Sequence, residues 1–303
     1  MRILSLLPSA TEIVCALGAE GDLVGRSQEC DYPSTVARLP VVMHARSLDV
    51  HAPSTEIDAR VTRARGRGES LYRLDLDRIR SLRPDVILTQ DLCGVCSVTD
   101  TEVREACALA GVSPQLVSLT PRRLEDVWAN VLQVGEAIDR PREGERLARA
   151  LRARSSPSLP PGRPKGRVAV VEWLDPPILA GLWTPDIVSQ AGGRSVGPAA
   201  GEAGQRLTWE SLAATPPDLA ILAPCSFTVD RTAAELGRLS HQPALAHFLA
   251  NVPTFLADEA YFSRPGPRLA DGVALVAQLL RDGEAIGPMP VARWHSPVAR
   301  VAA

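Results

Sequence analysis

Residues 139–165, DRPREGERLARALRARSSPSLPPGRPK, divide the chain into two halves of similar organisation. The segment begins as a helix: Asp139 can act as the N-cap, and Pro141 suits the first turn, where its missing N–H has no partner to lose. Pro157 and the prolines after it forbid continuation of the helix. A largely polar helix closed by a proline-rich stretch is typical of a connector. The alternative is a surface helix within a single domain.

Length and composition indicate an ordinary globular protein. The 303 residues suffice for two domains with real cores, and 45% of them are hydrophobic while 22% are charged. The formal net charge of -2 gives no electrostatic reason to expect nucleic acid as a partner. We therefore expect no nucleic-acid partner, and our expectation for the assembly is a monomer.

The N-terminus, MRILSLLPSATE, bears on location. It has one basic residue and a few apolar residues before Pro8, which is too short for a secretory signal. As encoded, the sequence predicts a cytoplasmic protein, and a periplasmic or cell-surface location is the alternative if the start site is misassigned. The six cysteines of such a chain are expected to be free thiols.

Short apolar runs alternate with helical patterns along the first half. Arg2–Leu7 and Asp85–Thr89 are typical buried strands, and Ser9 followed by Glu12 has the form of a capping box for the first helix. One amphipathic helix has an apolar stripe at helical spacing, formed by Leu124, Val127, Val131, Val134 and Ile138. Alternation of strand and helix predicts a parallel sheet covered on both faces.

The second half repeats this plan. LDLDRIRSLRPDVIL at 74–88 and LTWESLAATPPDLAIL at 207–222 each give a helix, then Pro-Asp, then an apolar strand. We therefore predict an α/β protein of two lobes with parallel sheets, residues 1–140 and 165–303. A single long connecting helix and its proline-rich linker, residues 141–164, join them.

Motifs for catalysis are missing from the sequence. There is no GxSxG, no P-loop and no GxGxxG after a strand, so we predict a protein that is not an enzyme and has no catalytic residues. Cys93 and Cys96 form a CxxC pair, which can bind a metal or exchange disulfides. A structural role in a ligand-facing loop is the third interpretation, and we favour it because no second ligand pair exists.

Aromatic residues are few, and half of them fall in loops or at the carboxyl ends of predicted strands: Tyr32, Tyr72, Trp173, Trp183, Tyr261 and Phe262. Ligands of parallel sheets bind at those ends, where large rings offer flat apolar surface. For Trp173 and Trp183 the alternative is that they fill the cores. Arg264 and Arg268 add hydrogen-bond donors for an acidic or amide-bearing ligand.

Several segments together carry a resemblance to a known family. They are LLPSATEIVCALGA at 6–19, CDYP at 30–33, the 74–88 and 207–222 segments, VVEWLDPPILAGLWTPDIVSQAGG at 170–193 and VPTFLADEAYFSRPGPRLADG at 252–272. In order and spacing the chain resembles, over nearly all of 2–280, the substrate-binding proteins of ABC importers for cobalamin and iron–siderophores. That family has a helical backbone between two α/β lobes and holds its ligand in the cleft between them.

The resemblance implies a site, and it is strongest to cobalamin binders. The residues it places at the ligand are Tyr32, Tyr72, Trp183, Tyr261, Phe262 and Arg264. Glu12 lies near the acidic surface positions that such proteins offer to an ABC permease. The chain departs from the family in lacking a signal peptide and the tryptophans of cobalamin binders, and in the added 47–70 segment and CxxC loop.

Three functional hypotheses follow. The first is a non-enzymatic binding protein that holds a corrinoid, with cobalamin as ligand rather than as an intrinsic cofactor, and an ABC permease as possible partner. The second keeps the binding role with an iron–siderophore or haem. The third, from another class, is a cytosolic thiol redox protein that uses Cys93 and Cys96.

Overall fold

The computed structural model describes residues 1–46, 49, 52–90, 98–156, 166–285 and 289–294, and the chain divides into two compact units. The N-terminal unit comprises Met1–Ala52, Glu56–Pro121 and Glu125–Arg152. The C-terminal unit comprises Pro53–Thr55, Arg122–Leu124 and Ala153–Ala303. Within the described ranges, no helix combines the length and the apolar character needed to cross a membrane.

Strands and helices alternate along residues 1–156, as predicted. In chain order they are β1 Ile3–Ser5, α1 Pro8–Ala16, β2 Leu23–Ser27, β3 Val41–Ala45, α2 Ser54–Arg67, β4 Tyr72–Leu74, α3 Leu76–Leu82, β5 Val86–Thr89, α4 Asp100–Ala110, β6 Gln115–Ser118, α5 Leu124–Ala137 and α6 Pro141–Arg154. The sheet has the order β4-β3-β2-β1-β5-β6. Its pairs are parallel except for β4 on β3, so the predicted parallel sheet is confirmed.

The apolar patterns correspond to buried faces. Strands β1 and β5 are buried along their whole length, as expected of the central strands of a parallel sheet. The predicted stripe of α5, from Leu124 to Ile138, is buried at all five positions. Helices α3 and α4 cover the sheet with Ile79, Val103 and Ala106.

Two helix starts differ from the prediction. Pro8 is the first residue of α1, with Leu7 before it, and no side chain caps this end, so Ser9 is not the N-cap. The reason is that proline fits the first turn and moves the start one residue earlier. Helix α5 begins at Leu124, whereas Thr120 and Pro121 in the sequence predict a start four residues earlier.

Asp139 ends a helix instead of beginning one. Its φ is +58°, in the left-handed region that Asp tolerates better than most residues. The Arg140 N–H donates to the Gly135 carbonyl at 2.7 Å and the Asp139 N–H to the Glu136 carbonyl at 3.3 Å, which is the Schellman pattern at the end of α5. Helix α6 then begins at Pro141, as predicted, and through Arg152 it belongs to the N-terminal unit.

Residues 166–285 and 289–294 form the second sheet and its helices. The elements are β7 Arg167–Leu174, β8 Pro177–Leu179, α7 Thr184–Gln190, β9 Arg194–Ser195, β10 Gln205–Arg206, α8 Trp209–Ala214, β11 Leu219–Leu222, α9 Val229–Leu239, α10 Pro243–Asn251, β12 Thr254–Ala257, α11 Leu269–Asp282 and β13 Val291–Arg293. The sheet has the order β10-β8-β7-β11-β12-β13, with β9 also on β7. Strands β9, β7, β11 and β12 are parallel, and β8, β10 and β13 pair antiparallel.

The predicted repeat is visible in both units as the same hydrogen bond, from the N–H at the start of one strand to an aspartate that precedes a neighbouring strand. We call this hydrogen bond the clasp. The Asp85 carboxylate accepts a hydrogen bond of 2.7 Å from the Arg2 N–H, and the Asp218 carboxylate accepts one of 2.7 Å from the Arg167 N–H. In each case the aspartate precedes one central strand and holds the start of its parallel neighbour. The Pro-Asp motif therefore fixes the register of β5 on β1 and of β11 on β7.

Candidate functional site

Polar side chains collect at the carboxyl edge of the C-terminal sheet. Glu172 lies near the end of β7, Cys225 follows β11, and Glu259 follows β12. The Cys225 N–H donates to the Glu172 carbonyl at 3.1 Å, which joins the first two segments. Loss of hydration around the thiol, and then the negative charges of Glu172 and Glu259, raise the pKa of Cys225, although the residue as a whole is exposed.

Backbone groups of Gly181 and Gly204 lie close to the Glu172 carboxylate. Its carboxylate accepts a hydrogen bond from the Gly181 N–H, and a Cβ added at Gly204 would stand 2.1 Å from its Oε1. Burial raises the pKa of Glu172 to about 7, and the Gly181 hydrogen bond offsets this only in part. The carboxyl group therefore changes its charge near neutral pH.

The segment after β12 contains a buried ion pair. Arg264 Nε donates to Glu259 Oε1 at 2.5 Å, and both side chains are largely removed from solvent. Burial raises the pKa of Glu259, while the Arg264 guanidinium acts in the opposite direction. The same segment has Tyr261, whose ring centroid is 5.9 Å from the Arg268 guanidinium carbon. Arg264 and Tyr261 thus lie on one ordered turn at the sheet edge.

Trp183 and Phe262 are packing residues in this structure. Trp183 is 6% exposed and Phe262 is 1% exposed. The Trp183 indole N–H donates to the Phe262 carbonyl at 2.6 Å, so the tryptophan supports the segment that holds Tyr261. Rings buried in this way have little surface for a ligand, and the predicted contact of both with a ligand stays a prediction. The core alternative applies to Trp183.

In the N-terminal unit, Tyr32 and Tyr72 lie on segments that adjoin the edge of the sheet. Tyr32 is 50% exposed, in the turn between β2 and β3. The Arg26 guanidinium fixes this turn by donating to the carbonyls of Cys30 and Ala37. Tyr72 is half-buried, begins β4 and pairs with Ala45 at the end of β3. Both remain predicted ligand contacts.

Glu12 does not occupy the surface position expected of a permease contact. It is 4% exposed within α1. The physical reason is that α1 is buried along most of its length, since the residues from Ser9 to Val14 are all buried. The permease contact proposed for Glu12 itself stays a prediction.

The structure describes four of the six cysteines. Cys93 and Cys96 lie outside the described residues. Four cysteines within them, Cys15, Cys30, Cys107 and Cys225, are free thiols. Across the described ranges, no group of three or more His, Cys, Asp or Glu side chains is arranged to hold a metal ion.

Sequence reasoning missed Glu172, Cys225 and Glu259. A signal for Glu172 was present, because a carboxylate in the otherwise apolar strand RVAVVEWL requires an explanation. Glu259 stands two residues before Tyr261, within a segment already assigned to the site. Cys225 gave no signal, since a lone cysteine is more often an inert core residue.

Solved structures of the same fold cover nearly the whole chain. A periplasmic haem-binding protein from Pseudomonas aeruginosa is 22% identical, with a TM-score of 0.69 over 97% of this chain and 98% of that one. The haem-binding protein HutB of Vibrio cholerae is 19% identical, with a TM-score of 0.63 over 93% and 99%. The vitamin B12-binding protein BtuF of Vibrio cholerae is 18% identical, with a TM-score of 0.56 over 92% and 96%.

These likenesses establish the fold. The chain has the two-unit α/β fold of periplasmic binding proteins, and the resemblance read from the sequence is confirmed at that level. No protein-family model matches the sequence. No curated protein matches it either.

Proposed function

We propose that this chain is a non-enzymatic substrate-binding protein for a metal chelate of the tetrapyrrole type, with a corrinoid such as cobalamin as the first candidate. The observation that carries the proposal is a likeness of fold over nearly the whole chain to proteins that bind haem or vitamin B12. The residues at the sheet edges support it, because they combine aromatic surface with guanidinium groups.

The chemistry of the C-terminal edge suits such a ligand. Tyr261 offers a ring that can stack on a macrocycle, and the nearby Arg268 and Arg264 can donate hydrogen bonds to peripheral amide or carboxylate groups. Trp183 supports the same turn, because its indole N–H donates to the Phe262 carbonyl and so fixes the backbone there. Affinity in this account comes from preorganised contacts rather than from a reacting group.

Haem is the second candidate, and the tyrosines favour it. A phenol oxygen is an established axial ligand of haem iron, and Tyr32 is exposed while Tyr72 is half-buried. Haem also carries carboxylates, which bind guanidinium groups in pairs of hydrogen bonds. An ABC permease is the proposed partner for either ligand.

The test is competition between cyanocobalamin and haemin for the purified chain, followed by visible absorption. A corrinoid binder retains cyanocobalamin when haemin is added in equal amount. A haem binder instead shows a shifted Soret band, which the Tyr72→Phe variant alters if that oxygen ligates the iron. Binding of neither compound would refute the proposal.

A further inference from the structure

A second binding feature lies away from the aromatic residues, on the N-terminal unit. It is a surface pocket of about 250 Å³, which we call the arginine pocket. Its described lining residues are Arg46, Arg60, Arg63, Ala64, Arg67, Glu69 and Leu71. Four guanidinium side chains and a single carboxylate thus border one small space.

The pocket draws its arginines from two separate elements. Arg60, Arg63 and Arg67 are three, four and seven residues apart on α2, so they share one face of that helix. Arg46 follows β3, and its N–H donates to the Leu71 carbonyl at 2.6 Å. Favourable interaction with the helix dipole explains Arg67 in the last turn of α2. It does not explain Arg60 and Arg63 earlier on the helix, or Arg46 after β3, on the border of the same pocket.

Among the described residues, carboxylates pair with two of the four arginines that line the pocket. Arg60 pairs with Glu56 at 2.8 Å, and Arg67 Nη1 is 3.8 Å from Glu69 Oε1. Arg63 Nε donates to the Ala59 carbonyl at 3.2 Å, a contact that orients the guanidinium without neutralising its charge. Like charges that border one small space repel, and an anion placed among them relieves the repulsion.

We propose that the arginine pocket binds a phosphate group. Guanidinium groups form paired, charge-assisted hydrogen bonds with phosphate oxygens, and a doubly charged anion matches the excess of two positive charges that the four arginines have over Glu56 and Glu69. The source is either free inorganic phosphate or the phosphate of a small organic ester. The inference does not depend on the proposed chelate, because all the lining residues belong to the N-terminal unit and none is an aromatic site residue.

The experiment titrates the full chain with inorganic phosphate, and separately with glycerol phosphate, by calorimetry at low ionic strength. We expect saturable binding that Arg63→Gln and Arg46→Gln each weaken roughly tenfold or more, the usual effect of losing a charged hydrogen bond. The phosphate affinity of Arg63→Lys should lie between those of the unmodified chain and Arg63→Gln, since lysine retains the charge but not the planar guanidinium group. Arg65→Gln is the matched control, on the same helix but outside the pocket lining.

The arms of the titration separate the alternatives. Tighter binding of glycerol phosphate assigns the pocket to an organic phosphate, and tighter binding of inorganic phosphate assigns it to the free ion. If Arg65→Gln weakens phosphate binding as much as the pocket variants do, the binding depends on general surface charge and the proposal is overturned. Absence of phosphate binding by the unmodified chain would also overturn it. Circular dichroism of each variant verifies folding, and binding unchanged in folded Arg63→Gln and Arg46→Gln proteins would also refute the site.

Discussion

Glu172 is the residue whose ionisation we expect to affect the stability of the C-terminal unit. Its pKa is raised by burial from 4.5 to about 7, so between these values the native state retains a proton that the unfolded chain has lost. The free energy of unfolding therefore falls as the pH rises from about 4.5 to about 7, and the loss persists above that range.

The Glu172→Gln variant tests this directly, because glutamine resembles the protonated side chain. We expect the variant to lose less stability than the parent between pH 5 and pH 8, as measured by urea unfolding. Other titrating carboxylates act equally in both proteins and cancel in the comparison. Parallel pH profiles for the two proteins would contradict the assignment.

Tyr261 is the residue on which the proposed ligand contact depends most. We expect Tyr261→Ala to weaken chelate binding by roughly 1–3 kcal/mol, the usual effect of removing an aromatic anchor. Tyr261→Phe should retain most of the affinity, because the ring is kept. Leu109→Ala provides a control at a 69% exposed apolar position on α4. Affinity unchanged in Tyr261→Ala would remove this turn from the site.

At the scale of elements, the approach of α11 to the Tyr261 turn depends on Gly272. A Cβ at this position would stand 2.2 Å from the Tyr261 carbonyl oxygen, which as backbone has little freedom to move. Alanine in a helix interior normally adds about 1 kcal/mol of stability over glycine. We expect the opposite for Gly272→Ala, a loss of about 1–3 kcal/mol from overpacking.

Gly237→Ala is the matched control for that substitution. Gly237 is also helical, in α9, and nothing lies within 4 Å of its added Cβ. Thermal unfolding should therefore show stabilisation in Gly237→Ala and destabilisation in Gly272→Ala. Stabilisation by both changes would mean that the Tyr261 turn can move away from α11 without lowering the stability of the protein.

The paired clasps of the two sheets make a further prediction at this scale. We expect Asp85→Ala and Asp218→Ala each to lower the free energy of unfolding by about 1 kcal/mol, since each removes the acceptor of a strand-terminal N–H in a solvent-exposed setting. The control is Asp77→Ala, a highly exposed carboxylate that pairs with Arg80 on α3. If urea unfolding shows equal losses of unfolding free energy in all three variants, the clasps contribute no more than an ordinary exposed ion pair.

Considering the whole molecule, the central parallel strands and most helices were predictable from the sequence. The period of apolar residues fixes them, and the Pro-Asp repeat marked the similarity of the two halves. Strands β8, β9, β10 and β13 escaped prediction because they are only two or three residues long and form through pairing with β7, β8 and β12. Such strands have no pattern of their own.

The site was predictable only in part. Resemblance predicts the Tyr261 turn as a ligand contact, but it could not distinguish the exposed Tyr32 from the buried Phe262 and Trp183, because burial depends on packing from distant segments. Asp139 was assigned to the wrong helix for a similar reason. Its residue type suits an N-cap and a left-handed helix end alike, and only the backbone bonds to Gly135 and Glu136 decide between them.

Calorimetric titration of the full chain with cyanocobalamin, and then with haemin, tests the central claim most directly. We predict saturable one-to-one binding of one of the two, with cyanocobalamin as the first candidate, and weaker binding in Tyr261→Ala. Absence of binding for both would contradict the claim that this fold, with its aromatic and guanidinium side chains, holds a tetrapyrrole metal chelate.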